Sequence, residues 1–134
     1  MSELSTSLVE ALLVAATEAK QQSYSPYSHF AVGAALLCED GTIFTGCNIE
    51  NASYGLTNCA ERVAIQSAVA AGQRAFQAIA IVGDSIGPCM PCGACRQVLA
   101  EFKVPLVYCE TKAGVRSVYS LAELLPHSFG PDDL

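Results

Sequence analysis

Residues 91–109 read PCGACRQVLAEFKVPLVYC, and this stretch joins a pair of cysteines to a helix and a strand. The cysteines, spaced C-x-x-C, open a predicted helix over 92–102, and Pro91 suits the first turn of that helix. The apolar run 104–109 that follows is typical of a strand. A helix followed closely by a strand indicates a sheet with helices packed against it.

A second helix with a cysteine at its start is predicted earlier in the chain. It spans 59–71, takes Asn58 as its N-cap and ends before Gly72. The other apolar patterns predict a helix over 4–22, a hairpin of strands over 30–37 and 42–47, strands over 78–82 and 115–119, and a short helix over 121–125.

Strands that alternate with helices favour a sheet covered on both faces. We therefore predict the α/β class, with a three-layer α/β/α sandwich around a five-stranded mixed sheet. The length predicts one domain over residues 1–134.

The composition excludes several classes of protein. Of the 134 residues, 51% are hydrophobic and 15% are charged, which is too apolar for a disordered chain. The sequence lacks the ~20 uninterrupted apolar residues of a membrane-spanning helix, and residues 1–4 lack the basic residue of a secretory signal. The net charge of −6 disfavours nucleic acid as a partner. We expect a cytoplasmic protein that buries apolar surface against copies of itself.

The seven cysteines are expected to be buried thiols or metal ligands, since a reducing compartment disfavours disulfides. Cys59, Cys92 and Cys95 stand at two predicted helix N-termini, where the partial positive charge stabilises thiolates. Three thiolates suit a zinc ion whose fourth position is open, as in catalytic zinc sites.

A fourth protein ligand would close this site. Neither His29 nor His127 has a metal-like spacing, so we expect both to be non-ligands. Cys89 completes a C-x₂-C-x₂-C run that overlaps an iron–sulfur pattern, but it precedes the predicted helix and we expect it not to bind metal. A closed zinc or iron–sulfur centre on Cys59, Cys89, Cys92 and Cys95, in a non-catalytic domain, is the alternative of another class.

Glu61 follows Cys59 by two residues, which on the first turn of a helix places it on a different face. Taken alone, an acidic residue there would only complement the helix dipole. Beside the cysteines, we interpret Glu61 as a proton carrier next to the open metal position rather than as a ligand.

The segments Cys59-Ala60-Glu61 and Pro91-Cys92-Gly93-Ala94-Cys95 resemble the pattern of zinc-dependent nucleoside deaminases. The resemblance covers almost the whole chain and is to the small cytidine deaminases, a family of homotetramers with one zinc ion per chain. It is also carried by residues 25–30, 32–35, 46–52, 59–62, 95–97 and 124–131.

The resemblance implies a role for each site residue. Cys59, Cys92 and Cys95 would bind Zn²⁺, Glu61 would be the general acid and base, and Arg62 would offset the thiolate charge. The residues implied to contact the substrate are Phe30, Asn48, Glu50, the backbone at Ala60, and, from a neighbouring subunit, Tyr54 and Phe129. Asn48 and Glu50 would hold the ribose, with Glu50 at its 3′-hydroxyl.

The resemblance also implies an activity. The reaction is hydrolytic deamination of cytidine and 2′-deoxycytidine to uridine and 2′-deoxyuridine with release of ammonia, a step of pyrimidine salvage. The implied partners are a small nucleoside and further copies of the chain, in a homotetramer with shared active sites. Another cytosine-bearing small molecule, such as a nucleoside antibiotic, is the alternative substrate. The negative net charge disfavours a nucleotide or tRNA.

Overall fold

The computed structural model describes residues 2–134, so Met1 of the N-terminal stretch considered above lies outside the described residues. The elements, in chain order, are α1 (Thr6–Lys20), β1 (Val32–Cys38), β2 (Ile43–Cys47), α2 (Ala60–Ala70), β3 (Phe76–Gly83), α3 (Gly93–Glu101), β4 (Leu106–Glu110), β5 (Arg116–Ser120) and α4 (Leu121–Leu124), with short 3₁₀ helices at Tyr54–Leu56 and Pro131–Asp133. Over residues 2–134, none of the helices is both long enough and apolar enough to cross a bilayer.

The five strands form one mixed sheet in the order β2-β1-β3-β4-β5. β1 is antiparallel to both of its neighbours, so Ala34 lies opposite Gly46 in β2 and Ile81 in β3. β3 and β4 are parallel, which requires a crossover connection, and α3 provides it. The predicted five-stranded mixed sheet is thereby confirmed.

Helices cover both faces of this sheet. On one face, α1 buries Leu12 and Ala16 in a core that includes Leu37 of β1. On the other face, α2 and α3 bury Ile65 and Leu99 in a second core. The predicted three-layer α/β/α sandwich is confirmed.

The cap residues of two helices differ from the prediction. Cys59, not Asn58, is the N-cap of α2, because both backbone groups of Asn58 bond to Ile49 and keep Asn58 extended. At α3, the N-cap is Cys92, so Pro91 precedes the helix instead of occupying its first turn. Each helix therefore presents a cysteine at its cap position.

Two glycines allow helices to lie directly on the sheet. A Cβ atom at Gly33 would lie 1.9 Å from the carbonyl oxygen of Ala16 in α1. At Gly46, a Cβ atom would lie 2.4 Å from the carbonyl oxygen of Ala60 in α2. The close approach at Gly46 sets the height of the first turn of α2 above the sheet, and that turn carries the site residues.

Candidate functional site

Three cysteine thiols meet where α2 and α3 begin. The Sγ atoms of Cys59, Cys92 and Cys95 all lie within 4.8 Å of one another. Cys59 Sγ is 3.8 Å from Cys92 Sγ, which is 3.5 Å from Cys95 Sγ. The structure therefore brings together the three predicted ligands, one from α2 and two from α3.

The chemistry of this cluster suits zinc. Zinc is held by thiolates in tetrahedral sites, and a site with three protein ligands keeps one position for water or substrate. Cys59 and Cys92 are N-cap residues, so the positive ends of two helix dipoles stabilise negative charge at the cluster. Cys92 Sγ also accepts the backbone N–H of Cys95 at 3.5 Å.

Arg62 lies beside the cluster. Its Nη2 atom donates a hydrogen bond to Cys59 Sγ at 3.3 Å. The hydrogen bond from the Cys95 thiol, together with the Arg62 guanidinium, lowers the pKa of Cys59 to about 5. Within residues 2–134, the buried Arg62 Nε has no hydrogen-bond acceptor. The guanidinium is thus placed to offset the charge of the thiolates.

Glu61 is buried in the first turn of α2, with 4% of its surface exposed. Burial disfavours the carboxylate and raises the pKa of Glu61 to about 7. A carboxyl group with a pKa near neutrality can both accept and deliver a proton, which is the property required of a general acid and base.

A cavity of about 280 Å³ connects this chemistry to the predicted substrate residues. Its wall includes Cys59, Glu61 and Cys92 and the predicted contacts Phe30, Asn48, Glu50 and Ala60. The sequence interpretation missed Ser28, Val32, Thr57, Cys89 and Met90, which also line it. A volume of this size suits a small molecule rather than a macromolecule.

Asn48 and Glu50 are held by backbone groups of residues 27–32, which end at the first residue of β1. Asn48 Nδ2 donates to the carbonyl oxygen of Phe30 at 2.7 Å, and its Oδ1 accepts the N–H of Val32 at 2.9 Å. Glu50 Oε1 accepts the N–H groups of Tyr27 at 2.9 Å and Ser28 at 3.1 Å. Both polar side chains therefore have fixed positions at the rim of the cavity.

Tyr54 and Phe129 lie outside this cavity and are highly exposed, at 75% and 60%. The ring of Tyr54 packs 5.9 Å from that of Tyr27. The carbonyl oxygen of Phe129 accepts a hydrogen bond from Gln97 Nε2 at 2.8 Å. Tyr54 lines a neighbouring cavity together with Ser28 and Glu50, and Phe129 lines neither cavity.

Cys89 lies in the cavity wall and outside the three-thiol cluster. Its carbonyl oxygen accepts a hydrogen bond from the Cys109 thiol at 3.4 Å. Burial raises the pKa of Cys89 to about 11, which favours the neutral thiol. This arrangement agrees with the interpretation of Cys89 as a non-ligand.

Gly83 provides the space for the Cys89 side chain, since a Cβ atom there would lie 2.5 Å from Cys89 Sγ. We expect Gly83→Ala to push Cys89 into the cavity. A displacement of about 1 Å can cost 10²-fold in rate, so we expect kcat/KM for the substrate to fall at least about tenfold. Gly87→Ala is the matched control, because among residues 2–134 only its chain neighbours would lie within 4 Å of the new Cβ. Unchanged kcat/KM in Gly83→Ala would show that the wall at Cys89 does not touch the substrate.

Comparisons with known proteins agree with this geometry. The sequence pattern described as the cytidine and deoxycytidylate deaminase zinc-binding region matches residues 6–111. A cytidine deaminase of Sporosarcina psychrophila is 51% identical over 129 residues, which cover 94% of each chain. One of Halalkalibacterium halodurans is 49% identical over 125 residues, which cover 92% of this chain and 95% of that protein.

A solved cytidine deaminase structure has the same fold as this chain. The crystal structure of cytidine deaminase from Burkholderia pseudomallei superposes with a TM-score of 0.87 at 53% identity, covering 90% of this chain and 98% of that chain. The span 6–111 matched by the zinc-binding pattern contains the three clustered cysteines and Glu61.

Proposed function

Because this chain belongs to the cytidine and deoxycytidylate deaminase family, we propose that it hydrolyses cytidine and 2′-deoxycytidine to uridine and 2′-deoxyuridine, with release of ammonia. The observation that carries this conclusion is that one cavity is lined both by the metal-cluster residues and by the predicted substrate residues. One wall holds a buried carboxyl group beside a three-thiolate zinc site, and the rim holds fixed polar groups suited to a sugar.

Zinc, when bound, would lower the pKa of its water to about 7 and so supply hydroxide at neutral pH. Cys59, Cys92 and Cys95 would hold the ion. Glu61 takes up the proton of this water and delivers it to N3 of the cytosine ring. Protonation at N3 makes C4 more electrophilic. The oxygen of the water forms a bond to C4, and Glu61 carries the second proton of that water to the amino group. The bond from C4 to this nitrogen then breaks and ammonia leaves, so that cytidine and water give uridine and ammonia.

The other side chains bind and orient the nucleoside. The backbone at Ala60 would read the base next to Glu61, and Phe30 would pack beside the nucleoside. Asn48 and Glu50 would hold the ribose, with Glu50 accepting the 3′-hydroxyl. The distances within the Asn48 and Glu50 networks support these roles, because the groups are in place before a substrate binds.

The test is the ultraviolet spectrum of cytidine mixed with purified protein. We expect conversion to the spectrum of uridine, for cytidine and 2′-deoxycytidine alike, and loss of conversion after treatment with a zinc chelator. A zinc-loaded protein that leaves cytidine unchanged but deaminates a cytosine-bearing antibiotic would overturn the substrate assignment. A visible absorption band from an iron–sulfur cluster would overturn the catalytic assignment.

We further propose that residues 1–134 form one catalytic domain that acts in the cytoplasm as a homotetramer. All seven cysteines are free, as a reducing compartment favours. Large apolar side chains are exposed on the monomer, and burial against other copies would cover them. They include Tyr54, Leu56, Ile86 and Phe129.

We expect Phe129→Ala to lower kcat/KM for cytidine by about tenfold, through loss of an aromatic contact in a neighbouring site. Mixing this variant with inactive Glu61→Gln protein tests the sharing of sites. After subunit exchange, some sites combine Glu61 of one chain with Phe129 of another, so activity should exceed the sum of the two parent proteins. Val115→Ala, just before β5 and 64% exposed, is the matched control. A mixture that only equals the sum would show that Phe129 serves its own chain or none.

A further inference from the structure

Ser28 lies between two of the residues proposed to contact the substrate. Its hydroxyl donates a hydrogen bond to Glu50 Oε2 and accepts the backbone N–H of Phe30 at 3.1 Å. Its own N–H donates to Glu50 Oε1 at 3.1 Å. Ser28 also lines the cavity, so one residue is bonded to both Glu50 and Phe30 at the substrate site.

These hydrogen bonds occupy most of the acceptor sites of the Glu50 carboxylate. A carboxylate offers about four lone-pair sites. Oε1 accepts two N–H groups, from Tyr27 and Ser28, and Oε2 accepts the Ser28 hydroxyl. The remaining acceptor site is therefore on Oε2, the same oxygen that the Ser28 hydroxyl holds. The Ser28 hydroxyl and the two N–H groups also lower the pKa of Glu50, which favours the charged form.

The backbone around Ser28 is fixed on both sides. The N–H of His29 donates to the carbonyl oxygen of Ser25 at 3.0 Å, and His29 has a left-handed φ of 57°. The carbonyl oxygen of Phe30 accepts Asn48 Nδ2 at 2.7 Å. The same turn supplies two N–H groups that hold Glu50 Oε1, and the Ser28 hydroxyl adds the hydrogen bond that fixes the direction of Oε2.

We propose that Ser28 is a positioning residue that directs Glu50 Oε2 at the ribose 3′-hydroxyl and couples this contact to Phe30. The inference rests on the proposed function, since it needs Glu50 at the ribose. It predicts that recognition of the 3′-hydroxyl depends on the hydroxyl of residue 28, whereas the chemistry at the base does not.

The experiment compares cytidine with 3′-deoxycytidine in the zinc-loaded protein. For cytidine, we expect Ser28→Ala to lower kcat/KM about tenfold, mainly through KM, as for loss of one hydrogen bond to a charged group. For 3′-deoxycytidine, which lacks the hydroxyl that Glu50 accepts, we expect a change below about twofold, as in a double-mutant cycle. Ser28→Thr keeps a hydroxyl and should restore kcat/KM for cytidine to within about threefold of the wild type.

Ser7→Ala is the matched control, because Ser7 is exposed on α1. Zinc content and melting temperature report on the fold. If Ser28→Ala loses zinc, the same comparison is made with Ser28→Cys, which fills similar space with a weak donor. Equal losses for both substrates, or loss in kcat alone, would overturn the role of Ser28. Wild-type protein that uses both substrates equally well would instead overturn the assignment of Glu50 to the ribose, and this inference with it.

Discussion

Replacing Glu61 with glutamine should lower kcat for cytidine by at least about 10³-fold, within the range attributed to a general acid and base. Glutamine keeps the shape of the side chain, but its amide cannot take up a proton at neutral pH. Glu61 is almost fully buried in the cavity wall beside Cys59 and Cys92. Bulk water therefore has little access to this position and cannot easily take over the proton transfer from Glu61. The measurement is kcat at saturating cytidine.

The fold and the metal site should survive this substitution, because Glu61 lies outside the three-thiol cluster. We expect one zinc ion per chain and an unchanged far-ultraviolet spectrum for Glu61→Gln. Glu101→Gln makes the same chemical change at an exposed residue of α3 and should retain wild-type activity. Wild-type turnover in Glu61→Gln would contradict the role of Glu61, and loss of zinc would indicate that the carboxylate supports the metal site instead.

The layer order was predictable because each element has a clear local pattern. The run 78–82 is apolar throughout, and β3 is a buried central strand. The strand bounds were less accurate, because backbone pairing rather than apolar character defines a strand. The predicted strand 30–37 was wrong at its start, since β1 begins at Val32. Cys38, for example, joins β1 through an irregular pairing with Phe76. The N-cap at Asn58 was wrong because a tertiary contact with Ile49 outweighed the local preference of asparagine.

The metal cluster was predictable because spacing alone places two cysteines in one helical turn and a third at another helix start. The cavity wall was only partly predictable. Ser28 contacts Glu50 across 22 residues of sequence. The β1–β2 hairpin lies between the two residues, and its apolar pattern says nothing about contacts between its two flanks. A signal was nevertheless present, because Ser28 stands only two residues before the predicted strand that begins with Phe30.

Replacing Cys92 with alanine should abolish metal binding, with zinc falling below about 0.1 per chain after dialysis, since two thiolates no longer make a zinc site. Cys92 Sγ lies 3.8 Å from Cys59 Sγ and 3.5 Å from Cys95 Sγ. We also expect loss of turnover. The melting temperature should fall, because a metal that binds only the folded state stabilises it. Metal analysis and thermal unfolding test these expectations.

The matched control for this variant is Cys89→Ala, because Cys89 belongs to the same loop and cavity but lies outside the cluster. It should keep one zinc ion per chain, since the Cys89 thiol is held neutral by burial. Two outcomes would contradict the ligand set. Retention of zinc in Cys92→Ala would mean that another group replaces the thiolate, and loss of zinc in Cys89→Ala would favour the closed four-cysteine site. Because a closed site leaves no position for water, the pair of variants separates a catalytic zinc centre from a structural one.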